Sequence, residues 1–308
     1  MRQINRIYAT RFAQKLKAFI LKTRFSLLVL LFAVLFCSGC FQQSAPPREV
    51  TVSSIHEADE QIEAVEFINL SRTRADAIAE FPEGCERFPN LVKFSVRGQK
   101  GCTVVPETIG LLTGLTMLDL ADTGITTLPE SFGALSGLRH LYLAGNGMTN
   151  FPAQICALQD LTYLNFDYNS VTTLPDAVGG LKGIKWMRLN HNRLTMLPDS
   201  AAEWTQIKRL YLRGNALTAL PAAVLKMTSL EEIDLGGNAI QELPDEIVKL
   251  PNLRRIDLDG NPLVRLPEAI GEMEALRTMM LNGCRLPEKE RQRVRAAFPD
   301  PVKVHIAF

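Results

Sequence analysis

The sequence lacks the motifs by which many enzymes are identified. It has no Gly-rich phosphate-binding loop, no H-E-x-x-H pair for zinc and no G-x-S-x-G nucleophile elbow. Its four histidines, His56, His140, His191 and His305, have no metal-ligand spacing along the chain. We therefore expect no catalytic site, no bound metal and no cofactor.

Acidic residues are absent from the first 39 positions, which hold seven Lys and Arg residues and an apolar stretch of 12 residues at 25–36. A basic segment, a short apolar core and small residues before a cleavage point are typical of a secretory signal peptide. The sequence CSGC at 37–40 resembles a bacterial lipobox, which implies cleavage before Cys40 and lipidation of its thiol. Phe41, not Asp, follows, which in Gram-negative relatives favours the outer membrane. The alternative is an uncleaved anchor helix, although a membrane span needs about 20 residues.

A positive net charge is also missing once this segment is removed. The chain from Cys40 onwards keeps 27 basic and 33 acidic side chains, because all seven charges that are lost are Lys or Arg. A nucleic-acid-binding protein should carry a clearly basic face. The resulting net charge of −6 therefore argues against a nucleic-acid partner.

Repetition dominates the rest of the sequence. Asparagines recur every 23 residues, and a Leu-Pro pair keeps the same period. The shared unit is L-x-x-L-x-L-x-x-N-x-L-x-x-L-P-x-x-I-x-x-L-x-x, and LRRIDLDGNPLVRL at 253–266 shows the part before the proline. The alternation in L-x-x-L-x-L predicts a short strand, and the apolar residues three, six and nine after Pro predict an inward-facing helical segment. The asparagines should hydrogen-bond the turn that leaves each strand and stack into a ladder.

This pattern resembles the leucine-rich repeat family in its 23-residue form, over about residues 65–298. The resemblance implies an α/β solenoid, a horseshoe with a parallel concave β-sheet and short helical or 3-10 convex segments, capped at both ends. Each unit can bury its apolar face only against its neighbours. In the terminal units the asparagine position holds Thr73, Gln99, Thr123 and Cys284.

The ends of the chain complete the predicted organisation. Ser54 and Glu57 have capping-box spacing, which predicts a short helix over the first unit. We expect a signal peptide at 1–39, a lipidated cysteine and tether at 40–54, an N-terminal cap at 55–64, ten repeats at 65–286, and a C-terminal cap helix and strand at 287–308. The polar tether at 41–54 could reach about 50 Å when extended.

Tyr and Trp residues are few after Cys40, and those predicted on the concave sheet are concentrated in four successive middle repeats. The residues between and beside the two inner leucines of L-x-x-L-x-L point away from the core, onto the concave sheet. Tyr, Trp and Arg are enriched in binding hot spots, which favours a ligand surface; the alternative is that aromatic residues simply favour strands. The predicted partner-binding residues are His140, Tyr142, Tyr163, Tyr168, Trp186, Arg188, Arg209, Tyr211 and Arg213. Trp204 stands where other units have Leu, and we predict that it is buried.

Two further groups of residues leave alternatives open. Asp234, Asp257 and Asp259 fall on adjacent strands, where they could attract a cation or form a solvated acidic face. The four cysteines after Cys40 are expected to be small buried hydrophobic residues. A Cys85–Cys102 disulfide is the alternative in an oxidising compartment.

Together these features predict a membrane-anchored, leucine-rich-repeat binding protein of the bacterial cell envelope, held there by its lipid. We expect it to recognise a protein partner through the concave face, without enzymatic activity. Binding of an envelope glycan is one alternative, since aromatic faces also stack on sugars. A structural role, in which the domain bridges envelope layers, is another.

Overall fold

The computed structural model describes residues 49–50, 65–71, 78–82, 84–300 and 304–308. All of them belong to one unit, Arg48–Phe308. The predicted signal peptide, the lipidation site Cys40, the N-terminal cap at 55–64 and all of the tether except 49–50 lie outside the described residues. Within the described part, every helix is too short or too polar to cross a bilayer.

Twelve parallel strands form one open sheet, in which each strand pairs with the next one along the chain. The strands are β1 Glu49–Val50, β2 Phe67–Asn69, β3 Lys93–Ser95, β4 Met117–Asp119, β5 His140–Tyr142, β6 Tyr163–Asn165, β7 Trp186–Arg188, β8 Arg209–Tyr211, β9 Glu232–Asp234, β10 Arg255–Asp257, β11 Thr278–Met280 and β12 His305–Ala307. The architecture confirms the solenoid expected from the repeat pattern.

Strand β1 lies before the first repeat. Glu49 pairs with Phe67 and Val50 with Ile68, so the sheet begins one strand earlier than the repeat pattern indicates. These two residues belong to the segment expected to form the tether. That segment therefore contributes a strand to the domain.

The register of the sheet follows the 23-residue period in the regular units. Tyr163 pairs with Trp186, and Trp186 pairs with Arg209. Equivalent residues of successive units therefore stand side by side in columns that run across the strands. These columns bring residues far apart in sequence into contact on the concave face.

The return segments are 3-10 helices, and the spacing of the apolar residues explains why. In the unit after β4 the N–H of Phe132 donates to the carbonyl of Pro129 at 3.1 Å, and the N–H of Leu135 donates to that of Phe132 at 3.2 Å. A 3-10 helix has three residues per turn, so apolar residues at every third position all face the core. The nine described 3-10 helices are Cys85–Arg87, Glu107–Leu111, Glu130–Ala134, Ala153–Ala157, Asp176–Gly180, Asp199–Glu203, Ala222–Lys226, Asp245–Lys249 and Glu268–Glu272.

The core lies between the sheet and these helices and runs continuously along the solenoid. Trp204 is fully buried, as predicted, and its indole N–H donates to the carbonyl of Val178 at 2.8 Å. This bond links the return segments of two neighbouring units. Burial of a full Trp side chain therefore leaves no polar group without a partner.

The asparagine ladder is present. Asn192 is buried, and its Nδ2 donates to the carbonyls of Phe166 and Leu189 at 3.0 and 3.1 Å. Its Oδ1 accepts the N–H of Val171 at 3.2 Å. Each asparagine thus joins its own strand exit to that of the preceding unit.

Other side chains continue the ladder where asparagine is absent. Gln99 donates to the carbonyl of Leu70 at 2.9 Å, and the hydroxyl of Thr123 donates to that of Leu120 at 2.9 Å. The thiol of Cys284 donates to the carbonyl of Leu258 at 3.3 Å. The irregular terminal units therefore keep the hydrogen-bonding function of this position.

All four cysteines of the described part are buried and unbonded, in accordance with the expectation of small hydrophobic residues. Burial raises the pKa of Cys85 to about 12 and that of Cys102 to about 11. A buried thiol with so high a pKa is a poor nucleophile, because the thiolate is the reactive form. The structure does not contain the Cys85–Cys102 disulfide considered as an alternative.

An α-helix, α1 (Glu288–Ala297), follows the last repeat. Its residue Val294 is buried against the core, and Arg293 donates to the carbonyls of Leu266 and Pro267 at 2.8 and 3.3 Å. Glu290 accepts the N–H of Leu266 at 2.8 Å. The helix thereby satisfies backbone groups at the end of the solenoid that have no following repeat to pair with.

Candidate binding face

The nine residues predicted to bind a partner all lie on or directly beside four successive strands. His140 and Tyr142 belong to β5, Tyr163 to β6, Trp186 and Arg188 to β7, and Arg209 and Tyr211 to β8. Tyr168 and Arg213 follow β6 and β8 in the turns that leave the sheet. The 23-residue register therefore gathers them on one surface.

The rings of His140, Tyr142, Tyr163 and Trp186 form a chain of contacts, which we term the aromatic patch. The centroid of the Tyr163 ring lies 5.1 Å from that of Tyr142, 5.8 Å from that of Trp186 and 6.2 Å from that of His140. Such separations are typical of favourable aromatic pairs. Trp186 remains 39% exposed, so the patch offers apolar surface to solvent.

Arginine side chains extend the patch toward the C-terminal units. The guanidinium of Arg209 lies 4.4 Å from the centroid of the Trp186 ring, and that of Arg188 lies 5.4 Å from the centroid of Tyr211. Both distances fall in the range of cation–π contacts. The planar groups therefore form a continuous surface across β5–β8.

These arginines are already paired with acidic residues of the same face. Arg188 makes two contacts with one carboxylate oxygen of the buried Asp167, at 2.8 and 2.6 Å. Arg209 lies 3.4 Å from Glu232, which also accepts a hydrogen bond from the hydroxyl of Tyr211 at 3.1 Å. The charges of the two arginines are thus balanced within the protein.

Arg213 forms ion pairs with two of the three aspartates that the sequence predicts on adjacent strands. Its guanidinium contacts Asp234 at 2.9 Å and Asp257 at 2.6 Å. The third aspartate, Asp259, accepts hydrogen bonds from Asn282 at 2.7 and 3.0 Å. This face therefore forms a network of opposite charges, and no described group of three or more acidic, His or Cys side chains is arranged to hold a metal ion.

A depression of about 350 Å³ adjoins the aromatic patch. Its lining includes Arg188, Tyr211, Glu232 and Arg255. The lining is mainly polar, and the carboxylate of Glu232 is already engaged as described above. The depression is therefore suited to polar groups at the margin of a larger ligand.

Burial changes the ionisation of the aromatic patch. Desolvation raises the pKa of Tyr142 and Tyr163. Desolvation, with the nearby charges of Arg139 and Lys93, lowers the pKa of His140. The patch is therefore held in its uncharged form near neutral pH.

Two residues at the strand exits have left-handed backbone. Tyr168 and His191 have φ values of 57° and 53°, at a position where several other units have glycine. Their rings stack with centroids 4.5 Å apart and planes 13° apart. Tyr168 is 62% exposed although His191 covers one side of its ring, so its other side faces solvent.

Glycine follows His191 and Arg213 one repeat later for a steric reason. A Cβ on Gly214 would lie 2.6 Å from Nδ1 of His191, and a Cβ on Gly236 would lie 2.5 Å from Cζ of Arg213. Each large side chain therefore leans over the next unit and uses the space that a side chain there would fill.

Residues 205–263 match a family model described as leucine rich repeat. A comparison with curated protein sequences found no match. Among solved structures, the leucine-rich repeat ectodomain of the plant membrane receptor kinase GASSHO1/SCHENGEN3 from Arabidopsis thaliana, in complex with CASPARIAN STRIP INTEGRITY FACTOR 2, is similar with a TM-score of 0.62. The two are 22% identical, and the match covers 79% of this chain and 32% of the ectodomain.

Two further structures are similar. An internalin (inlF) from Listeria monocytogenes has a TM-score of 0.56 at 16% identity, with 76% of this chain and 81% of the internalin covered. The ectodomain of the Arabidopsis receptor kinase HAESA, in complex with an N-terminally extended IDA peptide hormone, has a TM-score of 0.56 at 22% identity, with 65% and 36% covered.

The chain thus spans about a third of the length of the two plant ectodomains. At these identities the similarity establishes the fold. The 23-residue units, the asparagine ladder and the parallel sheet agree with the match of residues 205–263. Residues 205–263 are therefore similar to the leucine-rich repeat family, and the described part of the chain folds as a leucine-rich-repeat solenoid.

Proposed function

We propose that this chain is a membrane-anchored binding protein that recognises a protein partner through its concave face. The observation that carries the proposal is the aromatic patch with its arginine extension. Planar side chains on four successive strands contact one another there, and Trp186 remains 39% exposed. Clusters of Trp, Tyr and Arg with partly exposed rings are typical of binding hot spots.

The charge arrangement supports selection of the partner by shape and apolar contact. Arg188, Arg209 and Arg213 each contact a carboxylate of this chain. A partner that relied on acidic groups would have to displace these pairs. In the Arg188–Asp167 pair this would leave a buried carboxylate without its partner, which is costly. We therefore propose a largely uncharged contact surface on the partner.

The similar folds are compatible with this function. The ectodomains of GASSHO1/SCHENGEN3 and HAESA were solved with a protein or peptide ligand. A binding function without catalysis also agrees with the high pKa of the buried thiols Cys85 and Cys102, which disfavours the reactive thiolate.

A paired comparison of two variants of the full chain tests the proposal. Trp186→Ala removes an exposed ring from the concave face, whereas Leu111→Ala removes a side chain that is 67% exposed on the convex side. We expect Trp186→Ala to weaken capture of the partner from envelope extracts by at least about 2 kcal/mol, or roughly 30-fold. Both variants should melt at nearly the wild-type temperature, and Leu111→Ala should capture normally.

The opposite pattern would contradict the proposal. If Trp186→Ala melts early and captures the partner normally, the aromatic patch contributes to packing and the binding site lies elsewhere. If the captured material is polysaccharide instead of protein, the glycan alternative is correct.

The location is part of the same proposal. The basic N-terminal segment, the apolar stretch and the lipobox-like CSGC support secretion and lipidation at Cys40. We propose that the lipid holds the domain in the bacterial cell envelope, at the outer membrane in a Gram-negative cell. Surface proteolysis of intact cells separates this role from that of a periplasmic bridge between envelope layers, which would be protected.

A further inference from the structure

One backbone position recurs at the exit of every strand. We term the residue after the second inner apolar residue of each unit the exit residue. The exit residues are Ser71, Arg97, Ala121, Ala144, Asp167, Asn190, Arg213, Gly236, Asp259 and Asn282. Their N–H groups lie on the concave side, where a side-chain oxygen is needed as the acceptor.

Nine of the ten exit N–H groups have such an acceptor within the described residues. In six units the acceptor is the last residue of the same strand: Asn165 accepts the N–H of Asp167 at 3.1 Å, and Asp119 accepts that of Ala121 at 3.1 Å. The other four units of this kind have the pairs Ser71–Asn69, Arg97–Ser95, Gly236–Asp234 and Asp259–Asp257.

In three units the acceptor is instead the exit residue of the preceding unit. Asp167 accepts the N–H of Asn190 at 2.8 Å, and Asn190 accepts that of Arg213 at 2.8 Å. Asp259 accepts the N–H of Asn282 at 2.7 Å. The acceptor for an exit N–H is therefore either the last residue of its own strand or the exit residue of the preceding unit.

Ala144 is the exception, because neither of these two positions holds a side chain that can accept its N–H. The last residue of its strand is Tyr142, whose hydroxyl is at the far end of the ring, and the preceding exit residue is Ala121, which has only a methyl group. The N–H of Ala144 has no protein acceptor among the described residues. The next residue, Gly145, has no side chain, and the carboxylate of Asp122 lies against it.

This donor lies beside the aromatic patch. Tyr142 precedes Ala144 by two residues in the chain, and the centroid of its ring lies 5.1 Å from that of Tyr163. The neighbouring carboxylates are engaged elsewhere, since Asp119 accepts from Ala121 and Asp167 binds Arg188. The carboxylate of Asp122, which lies against Gly145, pairs with Arg97 at 3.4 Å. A single unpaired donor thus stands next to apolar rings, without a free charge beside it.

We propose that the N–H of Ala144 is a recognition point that donates a hydrogen bond to a main-chain carbonyl oxygen of the polypeptide partner, while side chains next to that carbonyl pack on Tyr142 and Tyr163. This inference rests on the proposed function and names the chemistry by which one of its contacts is made. The binding group is a main-chain N–H, not a side chain.

The surroundings favour a peptide carbonyl over a sugar hydroxyl. A carbonyl oxygen only accepts hydrogen bonds, so one donor satisfies it, whereas a hydroxyl also has a hydrogen to donate. The carboxylates of Asp119, Asp122 and Asp167 already accept from other groups. A polypeptide also presents a carbonyl between side chains, which suits a donor flanked by aromatic rings.

Residue-resolved amide hydrogen exchange of the full chain tests the first step. In the free protein the Ala144 amide should exchange at least tenfold faster than the equivalent amides of Ala121 and Asp167, whose acceptors are in place. Equal protection of the three amides would overturn the inference.

Binding is tested with synthetic peptides selected on the full chain from a phage-displayed library of random dodecapeptides. A selected peptide should slow exchange at Ala144 at least tenfold. The variant Ala121→Asn places an amide oxygen where Asp167 supplies one for Asn190, so it should slow exchange at Ala144 without peptide and weaken peptide binding at least fivefold. Ala121→Val adds bulk without an acceptor and should weaken binding less.

The remaining outcomes separate this inference from the proposed function. If peptides bind while the Ala144 amide stays unprotected, or if Ala121→Val weakens binding as much as Ala121→Asn, the inference is wrong and the proposed function stands. If no peptide is selected, or if only a glycan array retains the protein, both are wrong.

Discussion

Replacement of Asn192 by alanine tests the energetic role of the ladder most directly. Asn192 makes one hydrogen bond as an acceptor, from the N–H of Val171, and donates to the carbonyls of Phe166, Leu189 and Asn190. Loss of the side chain does not affect these four groups equally. The result therefore depends on which of them keep another partner.

The carbonyls remain bonded after the substitution, because they are shared within the ladder. Asn169 also donates to Phe166 at 3.1 Å, and Asn215 also donates to Leu189 at 2.9 Å. The carbonyl of Asn190 likewise keeps the N–H of Tyr168 at 2.9 Å. Only the N–H of the buried residue Val171 loses its acceptor completely.

We therefore expect Asn192→Ala to lower the free energy of unfolding by about 2 kcal/mol, which combines one orphaned buried donor, at about 1–3 kcal/mol, with weakened bonds to shared acceptors. Chemical denaturation followed by circular dichroism measures the loss. Cys284→Ala is the matched control, because its thiol makes one weak bond at the end of the ladder and should cost less than about 1 kcal/mol.

Hydrogen exchange locates the effect. The Val171 amide should lose protection before amides several repeats away, because repeats interact mainly with their neighbours. An unfolding midpoint that does not move, together with a Val171 amide that stays protected, would refute the assignment of this energy to the ladder.

Two further predictions concern the anchor and the pH dependence of stability. Cys40→Ala should abolish labelling by a radioactive fatty acid and leave the precursor uncut, because the thiol is the proposed lipid attachment point; unlabelled wild-type protein of precursor size would instead indicate a helix anchor. Burial, with Arg139 and Lys93, lowers the pKa of His140 from its ordinary value of 6.5, so protonation favours the unfolded chain. Its contribution to stability should be complete above about pH 6.5 and decline as the pH falls toward the lowered pKa, and in thermal melts His140→Gln should show a smaller loss over that interval than wild type.

The fold could be predicted from the sequence because the 23-residue period, the pattern of apolar residues and the position of proline all indicate the same repeat unit. The spacing of three residues after each proline even favours the observed 3-10 helices, since Phe132, Leu135 and Leu138 all reach the core only at three residues per turn. The pairing of Glu49 and Val50 with β2 could not be predicted in this way, since that strand lies outside the repeat pattern.

The positions of the candidate site residues also followed from the register, but their partners did not. Asp234 and Asp257 looked like a free acidic surface in sequence, whereas both contact Arg213. Whether these aspartates are paired depends on how far the Arg213 side chain reaches across neighbouring strands, which a periodic pattern does not specify.

The unpaired donor at Ala144 could not be predicted from the repeat pattern for a different reason. Its signal is the pairing of an aromatic strand end, Tyr142, with a preceding exit residue, Ala121, that has no acceptor. That signal appears only when two columns are compared unit by unit. The left-handed backbone of Tyr168 and His191 had a clearer signal, because glycine stands at the same position in several other units.

The side chains of His191 and Arg213 lean over the next unit, and this has a consequence for how the array could change during evolution. Duplication of the unit that contains His191 would put a second histidine where Gly214 now stands, and its Cβ would lie 2.6 Å from Nδ1 of the first. The first imidazole would then have to turn, as the ring of Tyr168 does where it stacks on His191. The same holds for the unit with Arg213 and its successor Gly236. Neighbouring repeats are therefore coupled by sterics. Recombination that inserts, deletes or reorders single units should be tolerated best at boundaries where the upstream side chain is small or can stack on its successor, as Tyr168 does on His191.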